Sequence, residues 1–331
     1  MRTAGMVITL LPFFTNASWK ILYSSKNKLL LVFWTIVSFF RRFAHLTQVI
    51  SADFVFIHRE VTPLGPPVFE WVIAKVLRKK IIYDFDDAIW LTDRTAEPAL
   101  LSWLKWRSKV ADVCRWSHIT TCGNKFLVDF ALRHTDRVRL IPTTIDTALH
   151  HNRELYSASP GRDRISIGWT GSHSTLVYLL ELVPVLEVIA NRFRRVEFLV
   201  IADRDPQIPV SNIRFFQWKK ETEIEDLMLF DIGIMPLTDN DWAKGKCGFK
   251  ALQYMSLGIP SVISPVGANK VILTHGKEGY HASNESQWIE YLSRLIENPA
   301  LRKQMGSNGR ETVNGRYSVD AITPEFLSLF E

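Results

Sequence analysis

Cysteine is scarce in this 331-residue chain: Cys114, Cys122 and Cys247 are the whole complement, and they show neither paired nor metal-ligand spacing. Such usage fits a reducing compartment. No recognition module for nucleic acid is visible. A complete glycine-rich dinucleotide fingerprint is missing too; the nearest stretch, residues 168–175, has two glycines. The strongly apolar segment at residues 29–40 is about twelve residues long, short of the roughly 20 that span a bilayer. Lys26, Lys28, Arg41 and Arg42 flank it. It reads either as an ordinary buried helix or as a helix lying in a membrane interface, anchored by those basic flanks. Residues 5–14 loosely resemble an export signal, but the single charge at Arg2 and the interruption at Pro12 give that reading little support, and a strand leading into a loop is expected instead.

What is present describes a two-domain globular protein. The length exceeds one small core. Hydrophobic residues make up 47% of the chain and the mean hydropathy is +0.02, which leaves room for contact with a membrane. The net charge of +6 is uneven. Residues 1–155 hold 21 Lys and Arg against 13 Asp and Glu; the remainder holds 19 against 21. A basic half suits nucleic acid, an anionic membrane or a phosphorylated substrate, and the last two lead here.

The periodicity predicts two alternating series. In the first half strands are expected at residues 6–14, 53–57, 80–83, 119–122 and 138–141, with helices at 28–46, 69–77, 99–114 and from Asn124 to Leu132. Residues 151–164 read as a linker. Strands then fall at 165–169, 196–201, 213–216, 232–235 and 261–263, with helices near 175–191, 221–229 and 249–256 and helical pattern after Glu285. Such alternation argues for parallel sheets wound in right-handed βαβ units. The expectation is an α/β protein of two Rossmann-like domains, residues 1–150 and 165–331, facing across a cleft. Ligands of such folds sit beyond the carboxyl ends of the strands.

The polar residues worth weighing stand at those strand ends. Residues 246–260 form the central stretch: a loop through Lys246, Cys247 and Gly248 enters a short helix at Phe249 and Lys250 and passes Gln253. The helix ends at Gly258, and Pro260 prevents its resumption. A helix start behind such a loop offers N–H groups and a partial positive charge to a phosphate, with the two lysines adding full charges. The plainer reading is a helix cap beside two solvated lysines. Gly171, Ser172 and His173 open a second hydroxyl-rich loop before a helix, also suited to phosphate. In the first half Asp84, Asp86 and Asp87 follow a strand. They could bind a divalent metal, begin a haloacid dehalogenase-like phosphatase, or orient an acceptor; a capping carboxylate is the bland alternative. The phosphatase reading is weakened by Ala88-Ile89-Trp90, where small hydroxyl residues would be needed. Alternation puts Asp84 and Asp86 on one face and Asp87 on the other. His58-Arg59-Glu60 ends the neighbouring strand. Asp239, Asn240 and Asp241 read as surface, Trp218 as a loop aromatic that could stack on a base, and Trp103 and Trp106 as packing.

The run Tyr83–Trp90, the segment Ile141-Pro142-Thr143-Thr144-Ile145-Asp146, the strand at 231–236, the Gly248 loop, Gln253–Pro260 and Pro265-Val266-Gly267-Ala268 together resemble the retaining GT-B glycosyltransferases of family four, the glycosyl transferases group 1, in a bacterial subgroup. The resemblance implies a nucleotide-diphosphate-sugar as co-substrate, with no further cofactor and no metal, and a glycan or lipid-linked acceptor in surface polysaccharide or glycoconjugate synthesis. The scarce cysteines suggest a cytoplasmic location, and the basic first half with the apolar helix at 29–40 suggests one that is peripheral on the inner face of the membrane. The N–H groups of Cys247, Gly248 and Phe249 would cradle the diphosphate, and Gly171, Ser172, His173, Lys246 and Lys250 would line the donor site. Asp86 or Asp87, with His58, would orient the acceptor. Gln253 occupies the place of the family's second motif glutamate, which holds the ribose, and Gly245 the place of the first. The glutamate pair is therefore absent, and so are the basic residues usual after the first strand of the donor domain; a catalytically inactive binding module is the rival expectation. Such enzymes also begin with a strand, loop and helix of about 30 residues before the element at Met6, so a late start of the chain is expected.

Overall fold

The protein is described by a computed structural model covering residues 5–16, 18, 28–91, 99–156 and 163–331. Lys26 and Arg2, and residues 157–162 of the expected linker, lie outside the described residues. The chain divides into two compact units, Met1–Ile141 with Glu325–Glu331, and Pro142–Pro324.

The first unit holds a four-stranded parallel sheet, β1 (Phe54–His58), β2 (Lys80–Phe85), β3 (Ile119–Cys122) and β4 (Val138–Leu140), in that spatial order. Its helices are α1 (Lys28–Val49), α2 (Val68–Trp71, continued by a wider turn through Val76), α3 (Ala99–Leu104), α4 (Lys109–Trp116) and α5 (Lys125–Ala131). A parallel sheet covered on both faces needs strands apolar throughout. Accordingly Ile81, Ile82, Tyr83 and Phe85 of β2 are all fully buried. Asn124 caps α5, its Oδ1 accepting from Leu127 N–H at 3.0 Å. Phe54 and Phe56 of β1 meet Phe330 and Phe326 edge to face, which explains why the last residues belong to this unit.

Two expectations fail in this unit. Residues 6–12 form no strand, and Val7 and Leu10 are 97% and 85% exposed. Side chains rather than a sheet neighbour satisfy part of this backbone: Arg41 donates to the carbonyls of Pro12 and Phe13, and Arg42 to that of Leu11. Burial pushes the Arg42 guanidinium down to about 10, with the neighbouring Arg41 charge adding to the shift. The single helix expected at 99–114 is two, broken around Trp106, whose φ of 49° lies in the left-handed region.

The second unit is a six-stranded parallel sheet of order β10-β9-β8-β5-β6-β7. Its strands are β5 (Ile165–Gly171), β6 (Val196–Ala202), β7 (Ile213–Gln217), β8 (Ile232–Met235), β9 (Ser261–Ile263) and β10 (Gly279–His281). The helices are α6 (Leu176–Glu181), α7 (Val183–Arg192), α8 (Glu223–Leu227), α9 (Asp241–Lys244), α10 (Phe249–Ser256), α11 (Asn269–Ile272), α12 (Glu285–Glu297), α13 (Pro299–Arg316) and α14 (Val319–Leu327), the last of which passes into the first unit at Glu325. The helix expected at 175–191 bends by 58° between α6 and α7, where Pro184 removes a backbone donor. Residues 142–156 pack into this unit. Ile145 is buried and exchanges backbone bonds with Tyr317 and Val319, at 2.8 and 3.0 Å, so residues 142–150, expected to close the first domain, belong to the second unit. Both sheets are parallel and helix-covered, as the alternation predicts.

Candidate functional site

The second unit brings together two stretches far apart in sequence. β5 delivers Gly171, and the chain turns through Ser172 and His173 into α6. α10 begins at Gly248, whose φ of 71° suits glycine; a Cβ there would stand 2.0 Å from Ile272 Cδ1. Ile272 holds this turn in place from the other side. Tyr254 ties α10 to the sheet: its hydroxyl accepts from Thr170 N–H at 3.2 Å and donates to the Ile234 carbonyl at 3.3 Å. The first-turn N–H groups of α10 have no acceptor within the helix and carry its positive dipole end.

Lys250 joins the two stretches. Its Nζ donates to Thr175 Oγ1 at 3.2 Å and lies 4.4 Å from the centre of the buried Trp169 ring. A Cβ on Gly171 would come within 2.6 Å of both Nζ and the indole, so glycine is what admits the lysine here. Burial pushes the Lys250 ammonium down to about 7, and the charge of Lys246 adds to the shift. Lys246 itself stacks over Trp242 at 4.7 Å. On the other loop Ser172 and Ser174 share a hydrogen bond at 2.8 Å. His173 donates from both its backbone N–H and its Nδ1 to Asp203, each at 2.7 Å. Those bonds outweigh partial burial and hold the Asp203 carboxyl below its usual range. Cys247 is buried with its thiol toward the Gly245 carbonyl, at 3.9 Å. Phe249 is exposed. Thus Gly171, Lys250 and the start of α10 meet, with Ser172 and His173 on the adjoining loop and Lys246 close enough in charge to bias Lys250.

Gln253 sits deeper, 2% exposed. Its amide donates to Glu223 Oε1 at 3.1 Å and lies 3.3 Å from His151 Nε2. Trp218 Nε1 donates to the same Glu223 oxygen at 3.2 Å. Burial pushes His151 down to about 4, so the ring is neutral at pH 7, and its Nδ1 is buried without a hydrogen-bond partner. Asp203, one residue beyond β6, was detectable as a strand-end acid. His151 lay in a stretch without periodicity and gave no signal.

The polar cluster of the first unit is set by strand register. His58, Asp84 and Thr121 are register partners on β1, β2 and β3. Asp84 accepts from His58 Nδ1 at 2.8 Å through one oxygen and from Thr121 Oγ1 at 2.7 Å through the other. His58 Nε2 is 3.8 Å from Asp86, so one imidazole meets both Asp84 and Asp86; the strand ends at Phe85, and the expected separation of Asp87 from Asp86 gives way to one guanidinium meeting both. The Asp84 hydrogen bond raises the His58 pKa, against an opposing contribution from burial. Arg59, with φ 62°, donates from its backbone to the Asp84 carbonyl at 2.7 Å, from Nε to Asp86 at 2.7 Å and from Nη2 to Asp87 at 3.5 Å. Burial draws the Asp86 carboxyl up, but the bond and charge of Arg59 overcome it and leave a net downward shift. The carboxylates that could have served a divalent metal or a phosphatase thus face a guanidinium, an imidazole and a hydroxyl. Asp86 is held ionised, which suits orientation rather than proton abstraction, and His58 is the titratable group of the cluster.

Residues 210–312 match the family model described as Glycosyl transferases group 1. No curated protein matches the sequence. Among solved structures, the chain is similar to sucrose-phosphate synthase from Thermosynechococcus elongatus, with TM-score 0.65, 13% identity and coverage of 88% of this chain and 76% of that one. It is also similar to Anabaena HepE solved in complex with UDP and glucose, with TM-score 0.66, 12% identity and coverage of 87% and 80%. A glycosyltransferase from Rickettsia africae gives TM-score 0.64 at 11% identity over 93% and 82%. The chain therefore has the two-sheet α/β GT-B fold, and its match to the group 1 model falls within the second unit.

Proposed function

We propose that the protein is a glycosyltransferase that moves a sugar, with retention, from a nucleotide-diphosphate-sugar to an acceptor hydroxyl. The supporting observation is the meeting of Lys250, Gly171 and the start of α10 in one place. An amine held over an indole and pushed down to about 7 regains its proton and its partner when a diphosphate arrives. The α10 N–H groups and the lysine charge then stabilise the negative charge that develops on the leaving diphosphate. That charge is supplied by the chain's own residues, and on this reading transfer needs no metal. The donor class is consistent with the UDP and glucose bound by HepE. In the first unit, His58 backed by Asp84 takes the acceptor side, with Asp86 and Asp87 orienting it through Arg59. The acceptor is a glycan or a lipid-linked glycan of bacterial surface polysaccharide or glycoconjugate synthesis, reached in the cytoplasm at the inner face of the membrane.

A second reading has its own observation. Gly245 and Gln253 stand where glutamates are expected, and Gln253 is committed to Glu223 and His151. This favours a binding module without turnover. Calorimetric titration with UDP, GDP, ADP and CDP, with and without magnesium, tests both. Micromolar binding of one nucleotide without metal, followed by release of that nucleotide from its sugar conjugate, is the expected result. Binding without turnover across nucleotide sugars and acceptors selects the module, and no binding by the folded protein overturns both.

A further inference from the structure

The first unit carries an apolar surface that its own fold leaves open. On α1, Val32, Phe33, Ile36, Phe40 and Phe43 are each half exposed or more. At helical pitch these five fall within an arc of about 100°. The other side of α1 is fixed to the protein: Ser38 and Val49 are buried, Phe39 meets Phe13 at 5.3 Å, and Arg42 donates to the Val61 carbonyl at 3.0 Å. Beside the stripe lies a groove of about 360 Å³, walled by apolar side chains that include Phe39, Phe43, Leu64, Val68, Phe69 and Leu104. Phe39 and Phe43 belong to α1, so stripe and groove are continuous. Trp103 and Leu100 on α3, next to Leu104, are 66% and 69% exposed. Trp71, one turn beyond Val68, is exposed, and so are Lys75 and Arg78 after it.

We propose that this composite face docks on an anionic lipid bilayer, with α1 in the plane of the interface and the groove receiving hydrocarbon from a lipid. The inference rests on the membrane location proposed above and gives it a surface, but it does not depend on glycosyl transfer taking place. Charge decides the partner. The first unit holds 20 Lys and Arg against 13 Asp and Glu, whereas the second holds 20 against 21. A net +7 is drawn to an anionic surface and resists pairing with a second copy of itself. Exposed tryptophans at the rim suit the headgroup level. By length and composition α1 passes for a spanning helix, with an 18-residue stretch of Leu29–Val49 reaching mean hydropathy 1.5, so it outruns the twelve apolar residues visible in sequence. Its attached side argues for lying on the bilayer. The anchoring differs from the sequence expectation, because Arg41 and Arg42 turn to backbone carbonyls and leave Lys75 and Arg78 to meet the headgroups.

The test is flotation of the full chain with vesicles of phosphatidylcholine alone and of phosphatidylcholine with phosphatidylglycerol. The wild type is expected to float with the anionic vesicles and weakly with the neutral ones. Phe33→Asp with Ile36→Asp should lower partitioning by about tenfold or more, and Leu104→Asp by less. Val271→Asp, at a residue 64% exposed in the second unit, should change nothing. Circular dichroism checks that the double variant is folded; if it is not, Phe40→Asp takes its place. Wild-type protein that stays soluble with both vesicles overturns the proposal, as does a folded stripe variant that floats normally. A concentration-dependent dimer that the stripe variant abolishes, without flotation, assigns the face to a second copy instead.

Discussion

The two units handle charge in opposite ways. In the first, each ionised side chain of the polar cluster is answered: His58 by Asp84, Arg59 by Asp86 and Asp87. In the second, Lys250 has a hydroxyl and an indole face, and among the described residues no carboxylate forms an ion pair with it. A balanced cluster has little to gain from binding a multivalent anion and is suited to holding a neutral hydroxyl group in place. A desolvated amine is costly to protonate until an anion arrives, and so is suited to a phosphate. The proposed donor and acceptor sides, first suggested by the motif resemblance, agree with that contrast.

The largest expected effect is at the unanswered charge. Lys250→Ala should lower kcat/KM by about two orders of magnitude through loss of a leaving-group stabiliser, and should weaken binding of the free nucleoside diphosphate measured by calorimetry. An unchanged nucleotide affinity would remove Lys250 from the site. Next is His58→Ala, expected to lower kcat about a hundredfold while leaving nucleotide affinity as it is. Parallel losses of kcat and nucleotide binding would erase the distinction between the two units. A smaller effect follows at Gly171. A methyl group 2.6 Å from Nζ displaces the ammonium without removing it, so Gly171→Ala should raise the donor KM by about tenfold, roughly the loss of one charge-assisted hydrogen bond. Steady-state kinetics with varied donor separates this from an effect on kcat.

Much of this contrast could be read from residue order. α10 was predicted with both its ends, because Gly248 and Gly258 mark the two left-handed turns and Pro260 stops the chain from continuing. The strand ends were legible from β periodicity, which placed His58, the Asp84 cluster and Gly171 where polar side chains gather. Partnership was not legible. Lys250 lies 75 positions from Thr175 in sequence, and only the packing of β5 beside β8 under α10 joins them. Arg59 stands in sequence only as one of three polar residues ending a strand, and its pairing with Asp86 needed the parallel register of β1 and β2. The strand expected at residues 6–14 failed for a related reason. An apolar run becomes a strand only if a neighbour offers backbone bonds, and here Arg41 and Arg42 supply donors instead. Gln253 was placed on the donor side by its position in the motif; in the fold its amide is taken up by Glu223 and His151.

The smallest effect is on stability, and its sign separates the two sites. The His58 pKa is raised in the folded protein. Its pairing with Asp84 therefore stabilises the fold fully below the unfolded pKa, and that contribution disappears as pH rises through the folded value. Because the His58 side chain is half exposed, solvent screens the pair and the effect on Tm should be about a degree. Lys250 has the opposite sign. Its pKa is lowered from 10.5 to about 7, so between those values the unfolded chain binds a proton that the folded one resists. The resulting destabilisation grows as pH falls from the upper value and levels off below the lower. Lys250→Met should consequently gain Tm over the wild type near pH 8 and lose that advantage toward pH 10.5. His58→Gln should lose Tm near pH 6 and approach the wild type as the pH rises through the folded pKa of the imidazole. Thermal melts of both variants across that range test the assignment without any substrate. Parallel curves for the two would mean that the lysine is as well answered as the histidine, and the contrast between the units would collapse.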